Sequence, residues 1–159
     1  MMKFKVKKLS NNARLPTKNK EDVGWDLYIS RVNSKKEFVE IGFGIAVEPP
    51  EGYYFELVPR SSMRNYKFVL SNSIGIIDPS YRGELMASIV PVGAVMDIVL
   101  NDELVRQPIV SFHSTYQIPE VGEKFCQLIL RKFEESELEE VNDLSETLRG
   151  EGGHGSTGK

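Results

Sequence analysis

The chain has 159 residues, the length of one domain that buries an ordinary core. A hydrophobic share of 40%, a charged share of 27% and a formal net charge of −3 are those of a globular protein, and they exclude a global basic field able to hold a nucleic acid. The single cysteine, Cys126, excludes an internal disulfide, and no apolar run approaches the roughly 20 residues of a membrane-spanning helix.

In chain order, residues 1–10 alternate lysine with Phe4, Val6 and Leu9 and lack the apolar segment of a signal peptide, so a cytoplasmic location is the default expectation. Val39, Ile41, Phe43, Ile45 and Val47 fall on one parity, and Tyr53, Phe55 and Leu57 do so again after the turn Pro49-Pro50-Glu51-Gly52. Beyond Tyr81-Arg82-Gly83-Glu84 the alternation resumes at Ala87 and Ile89. Residues 93–122 hold apolar pieces around the polar tip Asn101-Asp102-Glu103, the pattern of a hairpin. Residues 125–130 form a continuous apolar strand in which Cys126 is a small core residue. A period of two, punctuated by Gly and Pro at short intervals, predicts an all-β sandwich or barrel of short strands.

The end of the chain breaks the pattern. Residues 134–146 turn acidic, with Leu138, Val141, Leu144 and Leu148 at spacings of three and four, which alone would suggest a short amphipathic helix. Residues 151–159 contain four glycines and almost nothing to bury, as in a disordered tail or a flexible binding loop. Gly153-His154-Gly155-Ser156-Thr157-Gly158-Lys159 has the opening spacing of a Walker A loop. That motif needs a following Ser or Thr and a helix N-terminus, and the sequence supplies neither.

Several side chains have chemistry to offer. Asp78 is an acid beside the apolar pair Ile76-Ile77, suited to activating water from a strand edge, although Asp78-Pro79-Ser80 is also ordinary turn chemistry. Ser61 and Ser62 beside Arg60 supply hydroxyl and cationic donors, and Gln127 an uncharged amide. Asn72 carries both a donor and an acceptor, and Gly75 also reads as a β-bulge.

Five stretches resemble, in order, the five motifs of the homotrimeric dUTPase family. They are Gly24-Trp25-Asp26-Leu27; Pro59-Arg60-Ser61-Ser62; Asn72-Ser73-Ile74-Gly75-Ile76-Ile77-Asp78 running into Tyr81-Arg82-Gly83-Glu84; Gly122-Glu123-Lys124-Phe125-Cys126-Gln127-Leu128; and Arg149-Gly150-Glu151-Gly152-Gly153-His154-Gly155-Ser156-Thr157-Gly158. The resemblance implies a jelly-roll-like β domain over residues 1–133, with a longer hairpin insert around 93–121. Residues 134–159 would then be a crossing segment and glycine-rich arm, and on that ground the helical period of 134–146 is set aside for an extended strap. It further implies a homotrimer with active sites at subunit interfaces and Mg²⁺-assisted hydrolysis of dUTP to dUMP and pyrophosphate.

In that scheme Asp78 deprotonates the water that attacks the α-phosphorus in line. Tyr81 lies beneath the deoxyribose and leaves no room for a 2′-hydroxyl. The hairpin around Asn72, Gly75 and Ile77 reads the base. Ser61, Ser62, Gln127, Arg149, Ser156 and Thr157 reach the phosphates, with Gly155 allowing close approach of the arm. Arg60 pairs with Asp26 across the subunit edge and shapes the site. Mg²⁺ has no direct protein ligand; the substrate phosphates hold it, and its waters lie near Asp26.

The chain departs from the family pattern in three places, of which Trp25 for the usual Tyr of the first motif affects packing and not chemistry. His154 stands where an aromatic, usually Phe, covers the uracil: either stacking is weaker and pH-sensitive, or the imidazole stacks adequately. The stretch after Gly83 is also long, which fits a neutral hairpin or a partner-binding insert. Rivals of related fold are a dCTP deaminase or bifunctional relative, for which Glu84 is the nearby acid, and a nucleotide-sensing regulatory trimer.

Overall fold

A computed structural model describes residues 2–92, 96–100, 103–107 and 117–152. Among these residues twelve short strands and one 3-10 helix make up the regular structure, so the all-β expectation holds. The strands are β1 Lys5–Lys8, β2 Trp25–Tyr28, β3 Arg31–Ser34, β4 Val39–Gly42, β5 Ile45–Glu48 and β6 Tyr53–Pro59. After the 3-10 helix Ser61–Tyr66 come β7 Phe68–Leu70, β8 Gly75–Ile77, β9 Met86–Pro91, β10 Met96–Leu100, β11 Glu103–Gln107 and β12 Lys124–Lys132.

Two four-stranded antiparallel sheets, β2-β12-β6-β8 and β3-β4-β9-β7, carry the fold, with smaller pairs β1-β5 and β10-β11. A single core cluster draws on both: Leu27, Phe55, Leu57, Phe125 and Leu128 from the first sheet, Ile41, Ala87 and Ile89 from the second. Each of these eight side chains is no more than 4% exposed. Burying a side chain of this kind contributes about 1.5–3 kcal/mol before entropy is counted, which is what holds such short strands together.

The run from Val39 to Val47 keeps its parity but not its sheet. Ile41, Phe43, Ile45 and Val47 are all buried, while β4 pairs with β3 and β9 and β5 leaves to pair with β1. The change of partner occurs at Gly44, whose φ of 66° lies where only glycine sits without strain. Its N–H donates to Glu84 Oε1 at 2.9 Å.

The hairpin expected in the insert is present as β10 and β11, in register from Met96↔Gln107 to Leu100↔Glu103; its tip at 101–102 lies outside the described residues. Residues 134–146 contain neither helix nor strand. Leu138 and Leu144 there are 94% and 87% exposed, so the helical spacing has nothing to pack against and the weak period is not realised.

Cys126 is fully buried, and loss of solvent pushes its thiol up to about 12. The folded chain therefore holds the neutral thiol. Above about pH 9, where an unfolded thiol ionises, this group weakens folding by about 1.4 kcal/mol per pH unit, until the folded thiol itself ionises. Native protein is expected to resist iodoacetamide at pH 9 and to react once in denaturant, with the adduct read by mass spectrometry. Labelling of folded protein would place Cys126 outside the core.

Candidate active site

Strand β12 lies between β2 and β6, and its register assembles the first site. Gln127 faces Asp26 on one side and Val58 on the other, and Cys126 faces Pro59, immediately before Arg60 and Ser61. Directly opposed residues of an antiparallel pair share a face, so Asp26 and Gln127 point together while Leu27 and Cys126 enter the core. Three stretches separated by up to a hundred residues thus meet at a cavity of about 420 Å³. Asp26, Arg60, Ser61 and Gln127 line it, together with Lys124 and the loop carrying Asn19 and Asp22.

Its electrostatics centre on Asp26, whose side chain is only 16% exposed. Arg60 Nε lies 2.7 Å from Oδ1 and Lys124 Nζ 3.0 Å from Oδ2, so each carboxylate oxygen has its own cation. The hydrogen bond to Asp26 holds the Lys124 ammonium above its ordinary pKa. Arg60 also donates from Nη1 to the Lys124 carbonyl at 3.3 Å and to Ser62 Oγ at 3.5 Å, which leaves Ser62 beside the clamp. The Arg60–Asp26 pair forms within one chain and not across a subunit edge, because the ends of β6 and β2 flank the same strand. Gly24 belongs to this site by packing. A Cβ there would overlap Gln127 Oε1 and lie 2.8 Å from its Cδ, so the glycine is the space the amide occupies.

Asp78 stands elsewhere. It follows β8, the edge strand of the first sheet, as an exposed side chain over a shallow cleft of about 320 Å³ with Tyr54, Ile76, Pro79 and Phe133. Its carboxylate makes no hydrogen bond or ion pair with any other described residue. Nearby, the Tyr54 hydroxyl donates to Glu56 Oε1 at 3.0 Å and Arg131 Nε donates to Oε2 at 2.9 Å. Arg131 holds Glu56 below the usual carboxylate range, and that carboxylate raises the Tyr54 phenol, which stays a donor.

The turn after Asp78 is fastened by its own residues. The Tyr81 N–H donates to the Asp78 carbonyl at 3.0 Å, and Arg82 Nη1 donates to the Pro79 carbonyl at 2.6 Å. The Tyr81 hydroxyl donates to the Glu84 carbonyl at 3.0 Å, and its ring lies where a Cβ on Gly83 would be. Gly83 is required so that Tyr81 can fold back in one fixed orientation.

The segment expected to be a base-reading hairpin is not a paired hairpin. Strand β7 pairs with β9 and β8 with β6, so residues 71–74 connect two different sheets. Asn72 and Ser73 are exposed on that connection, and Ser73 takes the left-handed backbone at φ 60°. Gly75 is not a bulge: Leu57↔Gly75, Glu56↔Ile76 and Phe55↔Ile77 run in unbroken register, and a Cβ on Gly75 would press on Leu57 Cβ at 3.3 Å.

Glu84 is already engaged. Its Oε2 accepts from Arg31 Nη2 at 3.0 Å while Oε1 accepts from Gly44, and Arg31 also reaches Glu40 at 2.6 Å. Arg149 turns into its own segment, with Nε on the Gly152 carbonyl at 2.9 Å, and lines neither cleft. His154, Gly155, Ser156 and Thr157 lie outside the described residues. Among the described residues no three His, Cys, Asp or Glu side chains gather as a metal site, and no helix is long and apolar enough to cross a membrane.

Sequence reasoning missed Lys124, whose parity with Cys126 and Leu128 assigns it to the core face, and the shielding role of Gly24, which only a packed neighbour reveals. Tyr54 and Phe133, beside Asp78, gave no signal beyond strand alternation.

A family model described as dUTPase matches residues 109–158. The deoxyuridine 5'-triphosphate nucleotidohydrolase of Arabidopsis thaliana is 37% identical over 161 residues, covering 98% of this chain and 82% of its own. A mutant dUTPase of Staphylococcus bacteriophage 80alpha, solved with dUpNHpp, superposes with a TM-score of 0.73 at 30% identity and 99% coverage of both chains. A mutant dUTPase from phage phi11 of S. aureus, described for its coordination of a structural Mg(II) ion, superposes with a TM-score of 0.67 at 30% identity, covering 91% of this chain and 99% of that one.

Proposed function

This chain belongs to the dUTPase family, and we infer that it is a dUTP diphosphatase, cutting dUTP into dUMP and pyrophosphate. The observation that carries the mechanism is the separation of the two clefts. Ser61 and Gln127, the donors suited to phosphate, line one; Asp78, the acid suited to water, stands over the other. A site that needs both is completed by a neighbouring copy, which supports the homotrimer with three shared sites.

In this reading Ser61, Ser62 and Gln127 hold the triphosphate of one subunit's site, and Asp78 of an adjoining subunit takes a proton from the water attacking the α-phosphorus. Tyr81, fastened by its hydroxyl and packed on Gly83, offers the sugar a rigid apolar surface with no partner for a 2′-hydroxyl. Residues 134–148 carry Arg149 and the arm to a third chain. There Arg149, Ser156 and Thr157 meet the phosphates, Gly155 lets the backbone approach, and Asn72, Gly75 and Ile77 shape the uracil pocket.

The donor set fits Mg²⁺ held by phosphates and waters. Asp26 has both oxygens on cations but keeps further lone pairs for water hydrogens, and Asp22 turns its carboxylate to the Asn19 N–H and Nδ2 at 3.1 and 2.8 Å. Asp26 would face the hydrated ion, which when bound orients the triphosphate and offsets charge on pyrophosphate.

Incubation with Mg²⁺ and either dUTP or dCTP tests the reading. Pyrophosphate from dUTP alone is expected; ammonia from dCTP would favour a deaminase, and binding of dUTP without turnover a sensor. The engagement of Glu84 by Arg31 and Gly44 opposes deamination.

Two substitutions probe the details. Gly24→Ala is expected to turn Gln127 out of place and lower kcat/KM toward the ~10²-fold loss that about 1 Å of misplacement can cause. An unchanged kcat/KM would mean that the position of Gln127 is immaterial. His154→Phe is expected to raise kcat/KM by restoring a larger stacking surface, and equal values would show that the imidazole stacks as well.

A further inference from the structure

We infer that Lys124 is a positioning residue for Asp26, turned to it by a β-bulge, and that its charge on Asp26 Oδ2 is what keeps nucleotide-free divalent metal out of the cavity. Simple alternation along β12 would send Lys124 to the face that buries Cys126 and Leu128. Instead the register slips between Lys124↔Tyr28 and Cys126↔Leu27, and Phe125 and Cys126 are both 0% exposed. The extra residue at the bulge re-aims Lys124 to the side of Asp26 and Gln127, a use of bulges common beside active sites.

The re-aimed side chain is held at two points. Its Nζ lies 3.0 Å from Asp26 Oδ2 and 5.6 Å from the ring centroid of its cross-strand partner Tyr28. The Tyr28 ring is itself tied down by a hydroxyl contact with Thr17 at 2.7 Å. Arg60 fills the other Asp26 oxygen, so the two acids that line the cavity, Asp26 and Asp22, are matched in number by two cations, Arg60 and Lys124. A lone hydrated Mg²⁺ meets no net negative charge there, whereas a triphosphate brings the charge with it. Free metal therefore does not fill the cavity ahead of substrate.

The inference rests on the dUTPase reading for its substrate, but its test does not. Mn²⁺ binding to nucleotide-free protein is measured by electron paramagnetic resonance, alongside dUpNHpp-dependent binding. Removing one unit charge next to Asp26 in Lys124→Met is expected to tighten nucleotide-free Mn²⁺ binding by about tenfold or more. Lys124→Arg should keep the parent value, and adding Asp26→Asn to Lys124→Met should abolish the gain. Lys124→Gln, which keeps a hydrogen bond without charge, gives the same readout should Lys124→Met fail to fold, as judged by its melt. Unchanged Mn²⁺ affinity in a folded, uncharged variant would overturn the inference. Failure of the parent to turn over dUTP would instead sink the functional reading and leave the nucleotide-free result standing.

Discussion

Asp78→Asn is expected to lower kcat for dUTP hydrolysis by about 10²–10⁴ while leaving the melting temperature within about a degree of the parent. The side chain is exposed, it has no partner among the described residues, and the amide is nearly isosteric, so nothing in the fold depends on its charge. What changes is proton affinity: an amide cannot accept the proton that the attacking water must lose. KM should move little, because in the proposed arrangement the triphosphate rests on Ser61, with Ser62 beside it, and on Gln127 around the other cleft. Single-turnover rates and KM measured together check both halves, and full kcat in the Asn variant would remove Asp78 as the base.

Mixing two inactive variants should restore activity. In a homotrimer whose sites draw Asp78 from one chain and Gln127 from the next, equal mixing of Asp78→Asn with Gln127→Ala subunits leaves about a quarter of the sites with both residues intact. Unfolding and refolding the mixture together permits exchange, and the expected rate is about a quarter of the parent's, against the small residual of either variant alone. A site built within one chain gives no recovery, since every chain then carries a lesion. The two clefts argue for recovery: Gln127 lines one at the β2–β12–β6 end, and Asp78 stands over the other at edge strand β8.

Much of this was legible before any coordinates. The two-residue period of Val39–Val47 and Tyr53–Leu57 marked core strands because a strand buries alternate side chains whatever its partner. The hairpin at 96–107 was visible in the apolar run that ends at Leu100 before a polar tip, but its second strand begins at Glu103, inside that expected tip, and the second apolar piece, 109–112, lies outside the described residues. Spacing misled where the backbone departs from regularity. The single alternating run of residues 39–47 hid a switch between sheets at Gly44, and the hairpin that the family resemblance implied around Asn72 is a connection whose flanking strands pair elsewhere.

The sequence by itself determined the chemistry available: one acid beside an apolar strand, serine hydroxyls and an uncharged amide as donors, a glycine-rich tail, and the alternation that makes an all-β core. Side-chain identity and period are local properties, so they can be read locally. Tertiary structure alone decided which of those groups meet. Register set Gln127 against Asp26, a bulge turned Lys124 from the core face to the same carboxylate, and the Arg60–Asp26 pair closed within one chain. Register and bulges follow from long-range pairing energies summed over whole strands, and a one-residue slip, which local sequence barely penalises, reverses the face of every side chain it carries.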